Sequence, residues 1–170
     1  MVWTKHPSGS KVVVVQTCSF GIYEALLRVT SRVNQARAQR KGYDYFEAKG
    51  IFMGWEEWHG TYNKVFLVHK LMQENQYDMV LSLDADAMVN DADWDVEQVV
   101  VDLGSPLVAA QLAGGKFAWD LNAGVKLWNM KSPYAREVIS KLFKRGTEMI
   151  GVLGDDEMSR FHVLSAVVCQ

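Results

Sequence analysis

Asp78-Met79-Val80-Leu81-Ser82-Leu83-Asp84-Ala85-Asp86-Ala87 is the stretch whose reading decides the fold of this chain. An apolar run of about six residues bounded by charge suits a strand covered on both faces. The run ends in two carboxylates, Asp84 and Asp86, with the small Ala85 between them. Open α/β sheets collect their ligands outside the carboxyl ends of the strands. Two hard oxygen donors in that position suit a divalent ion shared with substrate phosphates, because Mg²⁺ or Mn²⁺ takes only one or two protein carboxylates. Stripped of its surroundings the same pair reads as a solvated acidic turn, since D-x-D by itself is common.

The flanking sequence supplies the surroundings. Residues 11–16 read as a first strand after a loose Pro7-Ser8-Gly9-Ser10 lead-in. Residues 22–41 follow as a helix with Leu26, Val29, Val33 and Ala36 on one stripe, and Arg28, Arg32, Arg37 and Arg40 as its solvated face. Gly42 ends it, as glycine often ends helices. Residues 43–48 make a second strand, and Thr61 is placed to cap a helix running to about Asn75. Beyond the Asp84/Asp86 strand come a short helix at 94–103, strands at 107–112 and 125–128, and a helix from Ser132-Pro133 to about Lys144. A last helix is expected over 156–167. Strands alternating with helices imply an α/β fold, Rossmann-like, with a mostly parallel sheet covered by helices on both faces. No repeat, low-complexity tract or linker divides the chain, so 1–170 is expected to be one domain.

Composition narrows the partners. At 170 residues the chain can bury roughly 70% of its unfolded surface. A net charge of −2 gives no general attraction to nucleic acid, so an anionic ligand has to be held locally. Two cysteines, Cys18 and Cys169, do not make a disulfide scaffold. No run reaches the roughly 18 apolar residues of a transmembrane helix, and the first residues carry no secretory signal. Read as it stands, the chain is expected to be soluble and cytoplasmic.

Two other acidic clusters compete with Asp84 and Asp86. Asp91, Asp93 and Asp95 mimic the start of a calcium loop, but the sixth position, which needs glycine, is Val96. They read instead as acids at a helix entry. Gly154-Asp155-Asp156-Glu157 is either a helix-capping turn or a functional carboxylate group. Leu121-Asn122-Ala123-Gly124-Val125 is the other informative segment. Asn122 offers a donor and an acceptor, and Ala123 and Gly124 let a ligand approach the backbone. Lys64, at the start of a helix facing the carboxylates, is a cation placed to hold a phosphate. His6, His59, His69 and His162 show no metal-ligand spacing.

Four segments in order, Lys41-Gly42-Tyr43-Asp44-Tyr45, Tyr62-Asn63-Lys64-Val65, the run from Tyr77-Asp78 through Asn90, and Leu121 to Val125, carry a family resemblance. Over residues 12–165 the chain resembles a GT-A glycosyltransferase, closest to the retaining α-galactosyl, α-mannosyl and α-xylosyl transferases of fungi and plants. The resemblance implies that Asp84 and Asp86 hold Mn²⁺ (or Mg²⁺) against the diphosphate of a UDP- or GDP-sugar. It implies that Thr17, Tyr23, Lys64, Ala85, Asp120, Asn122, Ala123 and Gly124 line the donor site. It matches Asp155, Asp156 and Glu157 to the acidic element beside the reacting sugar, in a positioning and charge-stabilising role. A hydroxyl acceptor, such as a glycan, would complete the reaction.

The family usually adds a metal-ligating histidine well beyond that acidic element. His162 stands too close to Glu157 to match it, and the family's membrane anchor is also missing. The chain is therefore expected to be either a compact variant or part of a longer protein, with the Golgi lumen as its place in the second case. Two other readings remain: a non-catalytic nucleotide-sugar-binding relic, and a haloacid-dehalogenase-like phosphatase. The phosphatase normally carries its D-x-D on the first strand and a second aspartate after Gly-Asp-Asp, where this chain has Ser159 and Arg160.

Overall fold

A computed structural model describes residues 2–91, 93–104, 108–112 and 121–152. The chain opens with β1 (Val2–His6) and β2 (Val12–Cys18), then α1 (Ile22–Lys41) and β3 (Asp44–Lys49). A 3₁₀ helix (Glu57–Tyr62) leads directly into α2 (Asn63–Glu74) and β4 (Met79–Asp84). Then follow α3 (Val96–Asp102), β5 (Val108–Leu112), β6 (Leu121–Asn129) and α4 (Pro133–Val152). The helix expected over 156–167 lies outside the described residues.

The strands form one sheet in the order β1-β3-β2-β4-β6-β5. The α/β fold with helices on both faces is the expected one, but the sheet is mixed. Its central pairings, β2 with β3 and β2 with β4, are parallel. The pairings of β1 with β3, β4 with β6 and β5 with β6 are antiparallel. The reason lies in the connections. Helical crossovers α1 and α2 join the parallel trio, whereas β6 pairs with its chain neighbour β5 as a meander inserted beside β4.

β2 reads Val-Val-Val-Val-Gln-Thr-Cys and is buried along its whole length, as a central strand must be. On one face Val13, Val15, Val80 and Trp128 pack against Leu67 and Leu71 of α2 and Ile139 and Leu142 of α4. On the other face Val12, Val14, Leu81, Leu83 and Leu127 meet Ala38 of α1 and Val96 of α3. Gly42 takes the left-handed φ of 71° that closes α1, as its place in the sequence suggests. Asp95 caps α3 by accepting from the N–H groups of Glu97 and Gln98, and Asp93 pairs with Arg40. The acidic cluster at 91–95 is thus structural in its described members.

Several local expectations are corrected. Residues 7–10 are not loose, because Asp44 accepts from the Ser8 and Ser10 N–H groups and from the Ser8 hydroxyl, and β1 adds to the sheet edge beside β3. Thr61 is not a cap: its hydroxyl donates to the Trp58 carbonyl inside the 3₁₀ turn that precedes α2. β6 begins at Leu121 rather than 125, and α4 runs to Val152 rather than Lys144.

Candidate functional site

The chain order sets the place of the site. After β2 the chain crosses to β3 on one side, then returns to lay β4 on the other side of β2. Strand order therefore reverses between β2 and β4, and the crevice outside their carboxyl ends is where such sheets bind ligands. The last register pair there is Thr17 with Asp84. A cleft of about 270 Å³ opens at this point, lined by Thr17, Cys18, Ser19, Tyr23, Gly60, Thr61, Lys64, Asp84, Ala85 and Asp86.

Asp84 is the centre of the arrangement. Lys64, one residue into α2, is ion-paired with an Asp84 oxygen, and the same ammonium donates to the Ala123 carbonyl at 2.9 Å. One lysine thus bridges the end of β4 and the start of β6. Gly124 closes the other side, since a Cβ there would stand 2.9 Å from Asp84 Oδ2 and 2.9 Å from Asn122 Oδ1. Glycine is required by this close approach of the Asp84 side chain, where the small residues of the segment suggest the approach of a ligand. Asp86 is exposed, with no described hydrogen bond or ion pair to its carboxylate. The two carboxylates suit a divalent ion that draws the rest of its shell from phosphate and water. Among the described residues no third carboxylate, histidine or cysteine joins them in a metal-holding group.

The expected site residues sort into three sets. Thr17, Tyr23, Lys64, Asp84, Ala85 and Asp86 share the cleft. Ala123 and Gly124 adjoin it through Lys64 and Asp84, whereas Asn122 turns its side-chain oxygen back onto the Gly124 N–H at 2.6 Å. Asp120, Asp155, Asp156, Glu157 and His162 lie outside the described residues.

The sequence reading missed what holds the Asp84 turn in place. Gln16 Nε2 donates to the carbonyls of Asp84 and Ala87 at 2.9 and 3.2 Å. The Thr30 hydroxyl donates to the Ala85 carbonyl at 2.6 Å, and Asn34 Nδ2 to the Ala87 carbonyl at 2.9 Å. Asn34 also receives the Val89 N–H, while Tyr45 and Asn34 both donate to Gln16 Oε1. Gln16 and Asn34 are almost wholly buried, and a buried polar network this well satisfied fixes its geometry firmly. The available signal was a glutamine directly after four valines, with Thr30 and Asn34 four residues apart on the facing helix.

Two further groups set the electrostatics. Burial pushes the Cys18 thiol up to about 11, although Lys49 pulls it down, so the cleft holds an inert thiol rather than a thiolate. Lys126 on β6 stands in register with Ser82 and on the same face, since the next residue of that face, Trp128, donates its indole N–H to Ser82 Oγ. Burial brings the Lys126 ammonium down to about 8, with Lys64 acting in the same direction and Asp84 opposing.

No protein-family profile and no curated protein sequence matches this chain. Among solved structures, a glycosyltransferase involved in the glycosylation of the major capsid of PBCV-1 matches with a TM-score of 0.60 and 16% identity, over 78% of this chain and 65% of that one. The glycosyltransferase GlyE of Streptococcus pneumoniae TIGR4 matches with a TM-score of 0.48 and 20% identity, over 84% of this chain and 40% of that one. The apo form of GlyE gives 0.49 and 19%, over 92% and 41%. The first match shows that this chain shares the fold of a glycosyltransferase, and the chain spans less than two thirds of the length of all three. Among the described residues no helix is long and apolar enough to cross a membrane.

Proposed function

We propose that this chain is the nucleotide-sugar-binding part of a metal-dependent glycosyltransferase that moves a hexose or pentose to a hydroxyl acceptor with retention. The observation that carries the reading is the placement of Asp84. A carboxylate ends the strand beside the topological switch point, inside the cleft, with a lysine and an exposed second carboxylate next to it. That combination suits a diphosphate better than a neutral ligand, because it offers both a cation and the means to recruit one. The fold shared with a glycosyltransferase supports the same reading.

The residues divide the work as follows. Asp84 and Asp86 would hold Mn²⁺ or Mg²⁺, which when bound supplies Lewis-acid neutralisation of the charge growing on the leaving diphosphate. Lys64 adds a positive charge whose attraction grows as that charge develops, which is the condition for lowering a barrier rather than merely binding. Gly124, having no Cβ, lets the Asp84 carboxylate lie close against β6 and so keeps it at the cleft. Thr17 and Tyr23 sit at the cleft wall on the β2 side, where the nucleoside would lie. Asp155, Asp156 and Glu157 are assigned to steadying the positive character of the sugar. No protein base is demanded, since a departing phosphate oxygen can take the acceptor proton.

A thermal-shift panel of UDP- and GDP-sugars with and without Mn²⁺ tests the reading, because a ligand that binds only the native state raises its stability. A Mn²⁺-dependent shift with one of these nucleotides supports it. Absence of any shift, with turnover of a generic phosphomonoester instead, would favour the phosphatase reading.

A further inference from the structure

Resting on the nucleotide-sugar reading, we propose that Lys64 and Lys126 together guard Asp84, so that the site takes up a divalent ion with its diphosphate partner and not ahead of it. The two lysines come from different elements and meet on one face of the sheet. Lys64 projects from the first turn of α2 onto the Asp84 carboxylate. Lys126 lies on the same face of β6, one pleat repeat from Gly124, where a Cβ would stand 2.9 Å from that carboxylate. Diagonal neighbours of this kind lie about 7–8 Å apart, within reach of a long side chain. The Lys126 ammonium stands 5.9 Å from the centre of the Trp128 ring and has no ion pair among the described residues.

The charge count follows. The two ammonium groups, one paired with Asp84 and one on the same face beside it, equal in charge the two carboxylates Asp84 and Asp86, so the free site has little net attraction for a cation. A divalent ion arriving alone must displace Lys64 from Asp84 and approach Lys126, and both steps oppose it. An arriving diphosphate reverses this. Its oxygens give both lysines new partners, Lys64 can leave Asp84 and the Ala123 carbonyl, and the freed carboxylate can then take the ion. Coupling between two ligands is reciprocal, so each should tighten the other by the same factor.

The test measures free Mn²⁺ by electron paramagnetic resonance during titration, with and without UDP, alongside calorimetry of UDP in EDTA. Three proteins are compared: the unaltered chain, Lys126→Met and Lys126→Arg, the arginine variant keeping the charge. In the unaltered chain UDP should tighten Mn²⁺ binding by about tenfold or more. Lys126→Met should bind Mn²⁺ alone several-fold more tightly and UDP in EDTA several-fold more weakly, while Lys126→Arg stays near the unaltered chain on both measures. Opposite signs for the two ligands are the signature, since simple damage to the fold would weaken both. Unchanged or weaker Mn²⁺ binding in Lys126→Met overturns the guard. If the unaltered chain binds neither UDP nor GDP with or without Mn²⁺, the nucleotide reading fails, and the comparison of Mn²⁺ alone still decides the guard separately.

Discussion

The side-chain amide of Gln16 donates to the main-chain carbonyl of Asp84 at 2.9 Å, which ties the buried centre of β2 to the turn that presents both carboxylates. The relationship has a direct consequence. Gln16→Leu would keep the bulk but leave the Asp84 and Ala87 carbonyls and the Asn34 amide short of a partner. Each of these groups keeps a second partner, so the cost is that of the hydrogen bonds lost, about 0.5–1.5 kcal/mol apiece, and urea unfolding should show a loss of about 1–3 kcal/mol or somewhat more. Mn²⁺-dependent nucleotide affinity should fall by about tenfold or more, as it does when the support of metal-binding groups is removed. Unaltered stability would show that the network is not what holds the turn.

Gly124 gives the second prediction. In Gly124→Ala the new Cβ meets Asp84 Oδ2 and Asn122 Oδ1 at 2.9 Å, too close for either to stay. Both neighbours are side-chain ends and can rotate, so the fold should survive with nearly the same unfolding midpoint. The displaced Asp84 should then bind Mn²⁺ and UDP about tenfold more weakly. Calorimetry reads the affinity, and circular dichroism confirms the fold.

The third concerns pH. Burial by itself would raise the Asp44 carboxyl, but hydrogen bonds from the Tyr77 hydroxyl and from Ser8 and Ser10 outweigh it and hold the group below its ordinary value. The unfolded chain therefore takes up this proton first as pH falls. The contribution is complete above the unfolded value, about 4, and is lost as pH falls through the folded value. Asp44→Asn should accordingly cost more at pH 7 than at pH 3 in matched urea unfolding curves. An equal cost at both would contradict the assignment.

How much of this was legible in the sequence depends on which residues reach across the chain. α1 was readable in its bounds because Gly42 is a local signal, but its buried face was not. Leu26 and Val29 of the expected stripe are exposed, and Leu27, Thr30, Ser31, Asn34 and Ala38 turn inward instead, Thr30 and Asn34 because they reach Gln16 and the Asp84 turn. The Asp84 strand was readable because an apolar run ending in carboxylates is local too. β1 was not, since a five-residue edge strand held by its pairing with β3 and by Asp44 has no periodicity of its own. The antiparallel insertion of β6 was hidden for the same reason, because strand direction is set by the connection and not by composition. Thr17, Tyr23, Lys64, Asp84 and Asp86 were singled out in the sequence and share a cleft, whereas Lys126 and the Gln16 network were not singled out. The partners of the Gln16 network stand 14 to 71 residues away.

A fourth prediction addresses stereochemistry. If transfer proceeds with retention, an α-linked donor sugar yields an α-glycoside, which the anomeric coupling in a proton NMR spectrum of the product reads directly. A β-linked product would remove the retaining part of the proposal and leave the donor site untouched.

The central claim is that Asp84 and Asp86 hold a divalent ion for a nucleoside diphosphate, and Asp86→Asn tests it most directly. Asp86 is exposed and its carboxylate has no described partner, so the substitution should leave the fold and its stability within about 0.5 kcal/mol. Calorimetric titration of UDP, with GDP as the alternative nucleotide, is run on both proteins in Mn²⁺ and in EDTA. The predicted result is clear Mn²⁺-dependent binding to the unaltered chain and loss of that Mn²⁺-dependent increment in Asp86→Asn. Equal Mn²⁺-dependent affinity in the two proteins would contradict it.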